Sequence, residues 1–254
     1  MTAVFLNADD LGLGHRENEG VHAAVEAGAV RRASVIVTTD GFEEAARLAR
    51  RLGDRLEIGL HFSLTEGRAL TGPIRGATDR RGRFLSLPWL MTQAARGAVD
   101  VRGVEAELAA QWHRLAEVRP PRHLDGHQHV HALPGVREVV ARFGDPGLPI
   151  RVPRDVAWWI APSARVLVVA RLARGLEAVL PGRPAARFAG LGLYRHPRFA
   201  RALERLLRGI PAGRAVELMV HPRLPSRGDE VAAAELAALC DVRLAPTLAE
   251  ERAA

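Results

Sequence analysis

The stretch His123-Leu-Asp-Gly-His-Gln-His-Val-His131 places four of the chain's ten histidines and one carboxylate within nine residues. Imidazole and carboxylate together are the usual ligand set of a catalytic zinc or similar divalent ion. Three other short apolar runs also end in ionisable groups: Asn7-Ala-Asp-Asp10, Gly59-Leu-His61 and Glu217-Leu-Met-Val-His221-Pro222. For such scattered residues to form one site, the strands carrying them must deliver their ends to a common place. A closed or nearly closed parallel barrel does so. An open doubly wound sheet concentrates its ligand at one switch point, commonly beside a glycine-rich phosphate loop. Asp10-Leu-Gly-Leu-Gly14 is a poor match to that loop.

Outward from these motifs, apolar or β-branched runs alternate with stretches of helical periodicity. Strands are expected at Ala3–Asn7, Ala33–Thr38, Leu56–His61, His123–Asp125, Ile150–Val152, Ala186–Ala189, Ala215–Val220 and, weakly, Val242–Ala245. Helices are expected at Arg16–Ala27, Phe42–Leu52, Gly103–Glu117, Pro134–Phe143, Ala164–Val179, Pro197–Arg208 and Glu230–Leu239, with Pro134 and Pro197 in first turns. This alternation predicts an α/β fold, a (β/α) TIM-like barrel with seven or eight parallel strands. The whole chain, residues 1–254, reads as one domain. The rhythm breaks between Thr65 and Asp100, a glycine- and proline-rich excursion that is either a lid or binding loop or a segment docked on the body through its aromatics.

Composition narrows the function classes. The formal charge is +7, yet all 36 basic residues are arginine, spread along the chain and interleaved with acids as in Glu43-Glu-Ala-Ala-Arg-Leu-Ala-Arg-Arg51. With a single tyrosine and no aromatic-basic platform for stacking bases, no nucleic-acid partner is expected. No apolar run reaches the ~20 residues of a membrane span, and no basic stretch precedes a signal-type segment, so a cytoplasmic protein is expected. The lone Cys240 reads as a small buried hydrophobe.

Each ionisable strand end has a chemical reading. Asp9 and Asp10 are adjacent, so in an extended backbone one carboxylate can bind metal while the other faces water or substrate; alternatively, one caps the next helix. Asp10 is the sharper ligand candidate, and His61 has the equivalent position on its strand. With Gly126 marking the strand exit, His127 falls at the mouth as first ligand choice. His129 is the runner-up and, with His131, lies farther out along the extended chain. Asp125 suits a role behind the metal, accepting an N–H from a ligand imidazole. His221 suits a general acid for a leaving amine, or else a fourth ligand or a packed core imidazole. Trp158 and Trp159 on a loop either floor a sugar site or pack locally.

Taken together, Asn7-Ala-Asp-Asp-Leu-Gly12, Gly59-Leu-His-Phe-Ser-Leu-Thr65, His123–His131 and Glu217–Pro222 resemble the YdjC-like carbohydrate deacetylases, which include chito-oligosaccharide deacetylases and a branch associated with hopanoid lipid synthesis. The resemblance implies a distorted (β/α) barrel. It also implies one divalent metal on Asp10, His61 and His127, with Asp9 as base and His221 as acid, removing acetyl groups from N-acetylated sugars. Magnesium or zinc suits this donor set best, with manganese and cobalt also compatible. The chain departs from the family pattern at Leu11, at Phe62-Ser63 and at Arg223, whose guanidinium would sit at the pocket rim and touch substrate.

Two other readings remain at this stage. A metallo-phosphoesterase would need a second metal, for which Asp125, His129 and His131 are candidates. A non-catalytic metal-containing scaffold would have no use for Asp9 and His221. The apolar segment Leu85-Ser-Leu-Pro-Trp-Leu-Met91 suggests a homodimer.

Overall fold

The computed structural model describes residues 3–144, 147–182, 184–210 and 212–241. Six strands form one all-parallel sheet: β1 (Val4–Leu11), β2 (Arg32–Val35), β3 (Glu57–Phe62), β4 (Leu124–Gly126), β5 (Arg187–Ala189) and β6 (Val216–Val220), in the order β4-β3-β2-β1-β6-β5. Helices α1 (His15–Glu26), α2 (Phe42–Leu52), α3 (Leu87–Ala95), α4 (Val101–Ala116), α5 (Val136–Arg142), α6 (Ala164–Glu177), α7 (Phe199–Gly209) and α8 (Glu230–Leu239) connect and cover it.

Burial explains the helices. Along α7 the buried residues Phe199, Ala202, Leu203 and Leu206 recur at i, i+3, i+4 and i+7, one apolar stripe facing the core. Helix α2 adds Glu43 and Glu44 in its first turn and Arg50 and Arg51 in its last, matching the helix dipole. Pro134 and Pro197 stand one residue before the N-caps Gly135 and Arg198 rather than inside first turns. The proline that does occupy a first turn is Pro88 of α3.

Among the described residues the sheet is a curled half-barrel of six strands, and the expected barrel of seven or eight strands is not seen there. The expected strand Ile150–Val152 does not form a ladder: Ile150 makes one parallel bridge to Leu124 of β4, and Asp155 makes one to Phe188 of β5. The flanking Pro149 and Pro153 lack the N–H a longer ladder needs, and the segment crosses the gap between the two edge strands through single bridges. The expected Val242–Ala245 lies outside the described residues.

Residues 65–100 are not structureless. Antiparallel bridges pair Arg68 with Arg83 and Thr78 with Phe84, and α3 follows. Ile74, Ala77, Phe84 and Leu90 are buried. The buried Glu107 of α4 accepts the backbone N–H of Leu70 and of Thr71, the Thr71 hydroxyl and an Nε2–H of Gln111. Cys240 caps α8 and is half-buried rather than fully inside.

Because every strand pair is parallel, the carboxyl ends lie on one side. Asp9, Asp10, His61, Asp125, His127 and His221 all lie at or just beyond those ends, the side on which parallel α/β sheets place their ligands.

Candidate metal centre and active site

The site begins with an irregularity in β1. Ala8 pairs with Ala33 and Leu11 with Val35, so two residues of β1, Asp9 and Asp10, oppose the single Ser34 of β2. This is a β-bulge. Asp10 takes up the extra residue at φ 68°, a left-handed conformation that aspartate tolerates better than most side chains. The side chains therefore do not diverge as in a regular strand. Asp9 Oδ2 lies 3.8 Å and Asp10 Oδ1 lies 3.3 Å from the same His61 Nε2.

The second irregularity follows β4. Past Gly126 the chain turns into a 3-10 segment, His127–Ala132, with Gln128 and His129 both at positive φ. The extended reading of this stretch fails here, and the three histidines separate. His127 Nδ1 lies 2.8 Å from Asp10 Oδ1. His129 is buried, lines the same cavity and meets the Phe188 ring edge-on at 5.8 Å. His131 turns beneath the site, its Nε2 2.9 Å from the Arg151 carbonyl oxygen. Gly126 permits this turn, because a Cβ there would stand 2.6 Å from His131 Nδ1.

The ligand-type atoms of Asp10, His61 and His127 all lie within 4.8 Å of one another. Behind them, His61 Nδ1 is 2.6 Å from Asp125 Oδ1, the second-layer contact expected of a metal-binding imidazole. Asp9, His61 and Asp125 form an overlapping group. There, however, Arg151 already donates to both Asp9 oxygens, at 2.6 and 2.7 Å, and Asn7 Nδ2 donates to Oδ1 at 2.8 Å. The same guanidinium reaches Asp125 at 2.7 Å and Glu217 at 2.6 Å, while Ser34 donates to Asp125 at 2.7 Å. Among the described residues, no ligand group contains His129 or His131.

Four carboxylates thus surround one arginine and a few imidazoles. Burial disfavours a charged His61, yet Asp125, Asp9 and Asp10 push its pKa up to about 10. Burial likewise opposes ionisation of Asp10, but His127 and His61 hold its carboxyl well below the usual range. The cluster is built around positive charge, and its one carboxylate and two imidazoles suit a divalent cation.

His221 follows β6. Its backbone N–H donates to the buried Glu235 of α8 at 2.6 Å, and its ring meets Tyr194 at 4.7 Å between centroids. Burial raises the Glu235 pKa, against the pull of nearby His221. Arg165 lies over Tyr194 at 4.6 Å. Asp9, Asp10, His61, His127, His129 and His221 share one cavity of about 430 Å³.

Three expected substrate contacts lie elsewhere. Arg223 pairs with Asp229 at 3.2 Å rather than lining the cavity, and Gly20 of α1 packs against its backbone. Trp158 is exposed and lines a separate hollow, while Trp159 packs on Gly209 with Arg205 over its ring at 5.3 Å. Conversely, Arg151, Ser34, Glu235, Tyr194 and Arg165 were not singled out by the sequence. The available signal was Arg151 itself, a basic residue inside a short apolar run between prolines.

A family model described as YdjC-like protein matches residues 3–250. A chitooligosaccharide deacetylase of Yersinia pestis (strain Pestoides F) is 36% identical over 154 residues, 59% of this chain and 59% of that protein. One of Escherichia fergusonii is 34% identical over 158 residues, 61% of each. The chain therefore aligns with about three fifths of the length of these relatives. A crystal structure from Enterococcus faecalis V583, whose description connects it with cellobiose-phosphate cleavage, superposes with a TM-score of 0.68 at 21% identity, covering 97% of this chain and 94% of that one. It shows a shared fold.

Proposed function

The chain belongs to the YdjC-like family, and from that premise we propose that it is a metal-dependent deacetylase of an N-acetylated sugar. The relatives named chitooligosaccharide deacetylase support the reaction class. The observation that carries the proposal is the Asp10, His61 and His127 group in one cavity with Asp9 and His221.

Asp10, His61 and His127 would hold the ion, zinc or magnesium by donor chemistry, with manganese or cobalt also compatible. When bound, a divalent ion there polarises the acetamide carbonyl and makes a nearby water more acidic. Arg151 and Asn7 fix the Asp9 carboxylate so that it faces the cavity as general base. Asp125 orients His61 by accepting its Nδ1–H. Water oxygen adds to the acetamide carbon and its proton passes to Asp9. The C–N bond then breaks, His221 gives the departing nitrogen a proton, and acetate and a free amine leave.

The two-metal phosphoesterase reading loses its second ligand set. Asp125 is engaged by His61, Ser34 and Arg151, and His131 is turned onto a backbone carbonyl. The test is acetate release by metal-supplemented protein from diacetylchitobiose and simple N-acetylglucosamine glycosides, abolished by chelator. Release is expected; none from any such compound overturns the assignment.

A further inference from the structure

Resting on that reading, we infer that Ser34 and His123 are positioning residues: together they set the orientation in which Asp125 holds His61 for the ion. His123 opens the histidine-rich stretch, yet it stands just before β4 and not among the residues lining the cavity. The chemistry proposed above gives it no task. Its ring is buried, and room for it comes from Gly59 of β3, where a Cβ would stand 2.4 Å from the imidazole. Gly59 pairs with Ser34 of β2 in the sheet. The missing side chain therefore lets His123 reach across β3 until its Nε2 lies 3.1 Å from Ser34 Oγ. Its Nδ1 stands 3.7 Å from Glu57 Oε1, beyond hydrogen-bond reach, so Ser34 is the ring's hydrogen-bonding anchor.

Two branches of the site meet at the Ser34 hydroxyl, which has one hydrogen and two lone pairs. The hydrogen goes to Asp125 Oδ2 at 2.7 Å, because an ionised carboxylate only accepts. Both lone pairs then receive, one from Asn7 Nδ2 at 2.7 Å and the other from His123 Nε2. The count closes only with a proton on His123 Nε2. Asp125 is thereby gripped at Oδ2 by Ser34 and Arg151, which leaves Oδ1 facing His61 Nδ1 at 2.6 Å. The other branch runs through Asn7, which also donates to Asp9. Without the hydroxyl, the Asp125 carboxylate is freer to turn about its Cβ–Cγ bond, and the imidazole it holds turns with it.

Two readouts test this. Cobalt(II) affinity is measured by competition with a chelating indicator, and the Nδ1 proton of His61 is followed by NMR in the metal-free protein. Losing an outer partner of a metal-binding imidazole typically costs about 10–100-fold in affinity, and Ser34 acts one contact farther out. Ser34→Ala and His123→Leu should therefore weaken cobalt binding about tenfold, the low end of that range, and shift the His61 signal. Gly59→Ala should act like His123→Leu by displacing the ring. His123→Gln, whose amide can donate from the same place, should recover most of the affinity. Ser34→Cys, a weaker donor of similar shape, should lose less than Ser34→Ala but measurably, and it decides the matter if Ser34→Ala does not fold. Leu206→Ala, in the core under α7 and away from the cavity, should lower the melting temperature without changing cobalt affinity. Wild-type affinity and His61 signal in both Ser34→Ala and His123→Leu, or equal losses in Leu206→Ala, would overturn the inference. Wild-type protein that binds no cobalt would sink the metal reading instead. The His61 signal then decides alone: a shift in Ser34→Ala and His123→Leu but not in Leu206→Ala upholds the inference, and no shift overturns it.

Discussion

Asp10 adopts φ 68° inside a strand, a position that costs a non-glycine residue roughly 1 kcal/mol or more. In return it brings a second carboxylate to the face already occupied by Asp9, with Ser34 alone opposite both. Arg151 is the matching residue below. Its charge is kept despite burial by Asp125, Asp9 and Glu217, which raise its pKa well above the ordinary value. Removing one partner of such a buried network typically costs ~3–5 kcal/mol. We therefore expect Arg151→Ala to lower stability by about that amount in urea titrations, and Arg151→Lys to recover only part, because an ammonium lacks the planar fork. A loss below ~1 kcal/mol for Arg151→Ala would show that the network is not intact. His131 gives a pH prediction. Burial lowers its folded pKa from 6.5 to about 4. The unfolded chain then binds the proton first, so the stabilisation is complete above pH 6.5 and is lost as pH falls from 6.5 towards 4. His131→Asn should flatten the melting temperature over that window, where this group contributes up to about 3 kcal/mol. An unchanged slope would assign the acid sensitivity to other groups.

The elements show how far a single sequence can be read. Helices α2 and α8 match their expected bounds, because their buried faces repeat cleanly and their ends are marked. His61 and Asp125 were legible as strand-end groups because period-two alternation fixes which face they share. Strand β1 runs past Asn7 to Leu11, since the central strand of a two-sided sheet is buried whatever its polarity and its bulge depends on register with β2. Arg151 was not legible, because its partner Asp9 is 142 residues away in sequence. Nor was α3, hidden among glycines and prolines that instead form the turns around it. The excursion containing α3 is tied down by Glu107, whose carboxylate satisfies two backbone N–H groups and a hydroxyl. Glu107→Ala should leave these donors unpaired, at ~1–3 kcal/mol. Hydrogen exchange should then accelerate across residues 65–100 while β1 and β6 stay protected. Uniform acceleration throughout would mean the excursion is not a separately anchored unit.

Across the whole molecule, a curled parallel sheet collects ionisable residues from β1, β3, β4 and β6, although they lie far apart in sequence. No helix among the described residues is long and apolar enough to cross a membrane. The parallel strands expected from the sequence are present, while the closed barrel is not seen among the described residues. Prolines 149 and 153 bracket the segment that would have completed it. Arg151 holds the Asp9 carboxylate, and the proposed function rests on a division of labour in which the adjacent Asp10 is left to a cation. Metal stoichiometry, measured by mass spectrometry on gel-filtered wild-type, Asp10→Asn and Asp9→Asn proteins, tests that division directly. One divalent ion per chain is expected in the wild type and in Asp9→Asn, and little in Asp10→Asn, where a neutral amide replaces the anionic ligand. Full occupancy in Asp10→Asn, or loss confined to Asp9→Asn, would contradict the assignment of the ion to Asp10, His61 and His127.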